Sequence, residues 1–280
     1  MAVEAEEPSR IGRWHPRLSV CAYSSRQLSL HEDLALYRRL GVERVALSLS
    51  KIVEAGVDAA VDSVLEAGLH VDGLVSVVRF DLSDPTGWEE QRRQLLDALD
   101  VAQRLGATVV QTTGGTARGA RFEPALEAFA EAIAPVLGAA IERGVRVALE
   151  PTRPQFAHAS FVHSLAQGLA VARQLDLQLV VDTVHGWWEP GYGALLAEAA
   201  PVTATVQIGD LRFDGPVVER VVPGDGELDL AATFACLLGA DYGGPFELEI
   251  LGRAVEEEGY ERAIERSLVH LDAILRRLDA

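Results

Sequence analysis

Short runs rich in β-branched residues alternate with longer amphipathic stretches from one end of the 280-residue chain to the other. Strand-like runs lie at 17–23 (RLSVCAY), 43–49 (ERVALSL), 70–78 (HVDGLVSVV) and 108–113 (TVVQTT). Four more follow at 145–150 (VRVALE), 177–182 (LQLVVD), 203–208 (TATVQI) and 246–251 (FELEIL). The stretches between them read as helices. In SLHEDLALYRRLG, for example, Leu30, Leu34, Tyr37 and Leu40 recur at helical spacing, Ser29 can cap the start and Gly41 can end it. Strict alternation of eight strands with a similar number of helices suits a single closed (β/α)8 barrel. An open doubly wound sheet would ordinarily carry a glycine-rich phosphate loop after its first strand, and that junction here reads YSSRQLS. The TTGGTARG loop after the fourth strand matches neither phosphate motif and is read as a tight turn, with phosphate contact through the following helix N-terminus as the alternative.

With no composition break inside it, residues 17–280 are taken as one barrel. Residues 1–16 are expected to form a poorly ordered N-terminal arm; MAVEAEEPSR is acidic, lacks an apolar core and is not expected to act as a secretory signal. No stretch of about 18 uncharged apolar residues predicts a membrane span. Two cysteines, Cys21 and Cys236, suggest reduced thiols and a cytoplasmic location rather than a disulfide framework. The net charge of −17 repels a phosphate backbone and argues against nucleic-acid partners.

Four of the strand-like runs end on a polar side chain: Glu150, Asp182, Gln207 and Glu249. The C-terminal ends of barrel strands converge on the rim that carries the chemistry. Two-residue alternation puts Arg146, Ala148 and Glu150 on one face of the fifth strand, and Val180 with Asp182 on one face of the sixth. It likewise groups Thr203, Thr205 and Gln207, and then Glu247 with Glu249, opposite apolar faces that should pack on helices. Three inward carboxylates and an amide oxygen would repel one another without a cation, so Glu150, Asp182, Gln207 and Glu249 are candidate metal ligands. Glu247, one layer lower, is expected to pair with Arg146, with a ligand role as its alternative. No inward Lys or Arg in these strands stands at the height of the other three carboxylates. Trp187 and Trp188 follow in GWWEPGY and could line a substrate, with packing under the loop as the other role open to them.

At these residues the chain resembles the xylose isomerase-like TIM-barrel superfamily, in particular its sugar phosphate isomerase/epimerase branch. The segments that carry the resemblance are VALEPT (147–152), LVVDTVH (179–185), VQIGD (206–210), VPGDGELDL (222–230) and GGPFELEI (243–250). The resemblance implies that Glu150, Asp182 and Glu249 are metal carboxylates and that His185 contacts substrate oxygens, or else orients Asp182. It implies that Arg212 is a basic residue aimed at the substrate and that the seventh helix begins near Asp229 or Leu230. One position departs from the pattern: the seventh-strand ligand is usually histidine, and here it is Gln207. An all-oxygen site favours Mn²⁺ or Mg²⁺ over Zn²⁺ or Co²⁺.

The activity implied is isomerisation or epimerisation of a keto-sugar or related polyol through an enediolate, with Glu150 and Glu249 exchanging the proton. A lyase or dehydratase on the same scaffold, or a metal-free non-catalytic relative, are the alternatives. The partner implied is a small-molecule substrate, and homo-oligomers are common among relatives of this kind.

Overall fold

The computed structural model describes residues 13–76, 78–215 and 218–279. Eight parallel strands close into a barrel: β1 (Leu18–Cys21), β2 (Arg44–Ser48), β3 (His70–Val75), β4 (Val109–Thr113), β5 (Arg146–Glu150), β6 (Gln178–Asp182), β7 (Thr203–Ile208) and β10 (Phe246–Leu248). Each strand pairs with its successor in the barrel, and β10 pairs with both β7 and β1 to close the ring. Two short strands, β8 (Asp210–Arg212) and β9 (Glu219–Val221), form an antiparallel hairpin outside it.

Around the barrel run α1 (Leu30–Leu40), α2 (Leu49–Ala55), α3 (Val57–Glu66), α4 (Trp88–Leu105), α5 (Phe122–Glu142) and α6 (Leu165–Leu175). They are followed by α7 (Thr183–Gly186), α8 (Tyr192–Ala199), α9 (Leu230–Gly239), α10 (Arg253–Glu258) and α11 (Tyr260–Leu278). The expected signals at α1 operate: Ser29 and Glu32 form a reciprocal capping box, and Gly41 ends the helix at φ 65°. Asp229 caps α9 as its sequence suggests. Among the described residues α5 is the one helix long and apolar enough in composition to cross a membrane. In this fold it buries Phe129, Ala132, Ile133 and Val136, with Phe129 against Phe80 and Phe161.

The main core lies between the sheet and the helices, while a smaller cluster of Val109, Ala148 and Val180, with Ala204, packs together separately. Three sequence expectations need correction. The register between β6 and β7 shifts after Leu179–Thr203, so that Val180 stands opposite Thr205. That irregularity breaks strict alternation, and Thr203 bonds Ala199 O instead of joining Thr205 and Gln207 on one face. Arg146, the first residue of β5, is exposed and pairs with Asp176 at 3.5 Å rather than with Glu247. It sits at the opposite end of its strand from Glu150 and its side chain reaches solvent. Residues 1–12 of the expected arm lie outside the described residues, but 13–16 are anchored: Arg13 pairs with Glu265, and Trp14 Nε1 donates to Leu40 O.

The turn after β1 is tied to its surroundings by buried polar contacts. Lys51 Nζ donates to Asp33 at 2.6 Å and to the carbonyls of Ala22 and Ser25. Ser24 Oγ donates to Leu248 O and accepts from Ile250 N, which joins this turn to the end of β10 on either side of Glu249. Burial raises Asp33 to about 6 even beside Lys51. Because an unfolded aspartate titrates near about 3.9, Asp33 favours the folded state most at low pH and loses that contribution as pH rises through its folded value. Lys51→Met should therefore cost about 3–5 kcal/mol above neutrality, where Asp33 would be left as an unpaired buried anion. The loss should shrink near about pH 5, where Asp33 takes up a proton. Urea unfolding at the two pH values measures this, and an equal loss at both would contradict it.

Candidate active site

The C-terminal rim brings the polar strand ends together through register. Asp182 stands opposite Gln207, and Gln207 opposite Glu247, one layer below Glu249. Glu150 ends β5, one strand beyond Asp182. Asp182 also caps the single turn of α7: its Oδ1 accepts from Val184 N at 2.9 Å. That turn swings His185 back over the rim, where Nε2 lies 3.4 Å from Glu150 Oε1 and 3.5 Å from Asp182 Oδ2. Glu150, Asp182 and His185 each present a ligand atom within 4.8 Å of the others. Glu249 lies on the other side of the group, against Gln207 Nε2 at 3.4 Å and the buried thiol of Cys21, which donates to Oε1 at 3.6 Å.

Beneath the rim an amide–carboxylate network fixes Gln207. Its Nε2 donates to Glu247 Oε1 at 2.9 Å and to Gln111 Oε1 at 3.0 Å, while Gln111 Nε2 donates to Glu247 Oε2 at 3.0 Å. Thr205 Oγ1 also donates to Glu247, at 3.5 Å. With its NH₂ group held by these acceptors, the amide can present only oxygen elsewhere. Gln207 Oε1 is buried and has no hydrogen-bond partner, and the same is true of Asp182 Oδ2. Burying such oxygens unpaired is costly unless something else satisfies them.

The electrostatics point the same way. Burial, followed by the neighbouring Glu249 and Asp182 charges, pushes Glu150 well above the ordinary carboxyl range. Burial and Asp182 lift Glu249 to about 8, and burial lifts Glu247 to about 7 against its hydrogen bonds. Burial lowers His185 to about 4, so its imidazole is neutral at pH 7. A group of buried carboxyls with raised proton affinity is one that calls for positive charge.

One arginine does reach this cluster, and it comes from outside the eight barrel strands. In the β8–β9 hairpin, Leu211 stands opposite Arg220, and Arg212 opposite Glu219. Opposite residues share a face, so Arg220 turns inward with the buried Leu211, while Arg212 turns outward to Glu219 and Asp214. The alternation of the hairpin therefore places Arg212, expected to face the substrate, beside Glu219 and Asp214 instead of at the carboxylate cluster. Arg220 lies 3.9 Å from both Asp182 Oδ2 and Glu249 Oε2, beyond hydrogen-bond reach.

Asp210 holds the hairpin in place. Its carboxylate accepts from the backbone N–H groups of Leu211, Gly224, Gly226 and Leu228, which folds the PGDGEL segment around it. A Cβ on Gly226 would lie 2.2 Å from Asp210 Oδ1, so only glycine fits there. The two tryptophans take partners of their own. Trp188 Nε1 donates to His185 O at 3.0 Å, and Trp187 rests on Phe213 with ring centres 4.7 Å apart. Trp187 lines a separate cavity of about 380 Å³ with Tyr192, Leu228 and Cys236, and both tryptophans are exposed.

The conserved pattern of the xylose isomerase-like TIM barrel matches residues 34–272. The chain belongs to that family. Within the xylose isomerase-like TIM barrels its structural neighbours include protein SMc04130 from Sinorhizobium meliloti 1021, at 25% identity and TM-score 0.82, covering 91% of this chain and 97% of that one. The IolI protein, solved with a bound zinc atom, aligns at 19% identity and TM-score 0.82 over 94% of this chain and 99% of its own. D-Psicose 3-epimerase from Clostridium cellulolyticum H10, solved with D-tagatose, aligns at 16% identity and TM-score 0.75 over 94% and 99%. No curated protein matches the chain. A structure of L-ribulose 3-epimerase shares the fold at 18% identity and TM-score 0.75, over 95% of this chain and 96% of that one.

Proposed function

We propose that this protein is a divalent-metal-dependent isomerase or epimerase that shifts a proton at a carbon beside a carbonyl in a hydroxylated substrate such as a keto-sugar. The observation that carries the reading is the pair of buried, partnerless oxygens, Asp182 Oδ2 and Gln207 Oε1, set among carboxyls whose proton affinity is raised. Glu150, Asp182, Gln207 and Glu249 would hold the ion, with His185 close enough to Glu150 and Asp182 to join or flank them. The donors are mostly hard oxygens, which favours Mn²⁺ or Mg²⁺, and His185 leaves room for a borderline ion such as Zn²⁺. When bound, such an ion supplies positive charge that polarises a carbonyl and offsets the negative charge that develops as a proton leaves.

The rest of the chemistry falls to the chain. Glu150 and Glu249 are the two carboxyls placed to handle the proton; one takes it from carbon and the other returns it to the opposite face or to the adjacent atom. Burial raises the proton affinity of both carboxyls, and a bound ion would lower it again, favouring the ionised form that a base requires. His185, neutral at pH 7, can hold a substrate hydroxyl through Nε2. Glu247 touches no substrate in this scheme. It positions Gln207 by gripping its NH₂ group.

Two experiments test this. With Mn²⁺ and a panel of keto-sugars in D₂O, deuterium should enter product carbon, and Glu150→Gln or Glu249→Gln should slow that exchange by about 10²–10⁴-fold. Near-normal exchange in both variants would refute the assignment. Separately, Glu247→Gln frees the Gln207 amide to flip and should weaken Mn²⁺ binding about 10–100-fold in calorimetry. Gln207→His should shift selectivity toward Zn²⁺ and Co²⁺. Unchanged affinity in the first variant and unchanged selectivity in the second would remove Gln207 from the ligand set.

A further inference from the structure

The cavity between α8 and α9, of about 380 Å³, stands apart from the carboxylate cluster, none of whose members lines it. Small-molecule sites usually fall in the range of about 300–1,000 Å³. Three aromatic rings stand on its wall, Trp187, Tyr192 and Phe213, and Leu196 and Leu228 extend the apolar lining. The Trp187 and Phe213 rings are inclined at 52° with centres 4.7 Å apart, and Trp187 remains 38% exposed. An indole left partly in water forgoes the burial that ordinarily holds it. The hydroxyl of Tyr192 is buried without a hydrogen-bond partner.

The charges on this wall have one sign. Glu227 and Asp229 line the cavity, and among the described residues no Lys, Arg or His does. Each carboxylate uses one oxygen on the backbone: Glu227 Oε1 accepts from Phe213 N at 2.8 Å, and Asp229 Oδ1 accepts from Ala232 N at 2.8 Å. Arginines of the hairpin and of α11 go elsewhere. Arg212 pairs with Glu219 and Asp214, Arg220 reaches toward Asp182 and Glu249, and Arg266 pairs with Asp225 and Glu258. Among the described residues the group able to chelate a metal is Glu150, Asp182 and His185, and Glu227 and Asp229 are not part of it.

We infer that this cavity is a second binding site and that it takes a small organic cation, an alkylated ammonium group set against the aromatic wall with Glu227 and Asp229 as its counter-charge. The faces of aromatic rings carry partial negative charge and attract a cation lying within about 6 Å of the ring centre. An alkylated ammonium suits such a wall, because it is weakly hydrated and presents methyl groups to the rings. A hydrated metal ion would lose water there to rings that cannot ligate it, and an anion would be repelled by both carboxylates. The net charge of −17 draws organic cations toward the surface as a whole. The site adjoins the turn that places His185: Thr183 on its wall directly follows Asp182, and a Cβ on Gly186 would lie 2.8 Å from the Tyr192 ring.

The test compares choline with its uncharged isostere dimethylbutanol, in which carbon replaces the nitrogen. Calorimetric titration into the full-length protein should give binding about tenfold tighter for choline than for the alcohol. Cys236 lies on the cavity wall and Cys21 is fully buried, so alkylation by N-ethylmaleimide, followed peptide by peptide, reports on the cavity. Choline should slow the alkylation of Cys236, and the alcohol at the same concentration should slow it less. Glu227→Gln and Asp229→Asn keep an acceptor for their backbone N–H groups, and each should weaken choline about two- to fivefold while leaving the alcohol unchanged. Trp187→Leu should weaken choline about 2–30-fold. Equal affinity for the two probes, no choline binding at millimolar concentration, binding that leaves Cys236 unprotected, or binding that all three substitutions leave intact would overturn the inference. Protection of Cys236 that rises with protein concentration in the absence of choline would overturn it as well, because a second copy of the chain would then fill the cavity.

Discussion

Negative charge buried at the barrel mouth is the constraint on which the rest of this molecule turns. Glu150, Asp182, Glu247 and Glu249 crowd the ends of three strands; burial raises the proton affinity of all three glutamates, and neighbouring carboxylates of the cluster add to it at Glu150 and Glu249. A closed parallel barrel can hold such a group because its backbone groups are paired around the ring and its helices wrap the outside. The charge must then be met by something: a proton, an arginine or a metal ion. Arg220 meets part of it from 3.9 Å, and two orphaned oxygens remain.

The layers below and around the cluster keep it in shape. Glu247, Gln111 and Thr205 form a polar layer that fixes which end of the Gln207 amide faces where. Asp210 gathers four backbone N–H groups and so braces the hairpin that delivers Arg220. Lys51 and Ser24 fasten the turn after β1, which carries Cys21 to the side of Glu249. None of these residues needs to touch a substrate for its loss to be felt at the site.

Much of this was legible in the sequence, because a parallel barrel writes a simple code. The eight β-branched runs became the eight barrel strands, and the polar residues ending them reached one rim as period-2 alternation requires. The misreadings came where that period failed or where residues far apart in sequence met. The shift in β7 could not be seen in TATVQI, and it turned Thr203 away. Arg146 and Glu247 share an inward face on paper but stand at different heights in a tilted barrel. Arg212 and Arg220 look alike in sequence; the pairing of β8 with β9 alone decides which one turns inward. The buried bonds of Gln111 to Glu247 span 136 residues and leave no local signal.

Cation binding and protonation are linked at this cluster. If the cluster is built for a cation, a divalent ion must displace the protons that its carboxyls otherwise keep near neutrality. Calorimetric titration of Mn²⁺ into the protein near neutral pH, repeated in buffers of different ionisation enthalpy, counts both ions bound and protons released. The account predicts one ion per chain with net proton release, and loss of both in Asp182→Asn. Absence of binding, or binding without proton release that Asp182→Asn leaves intact, would contradict it.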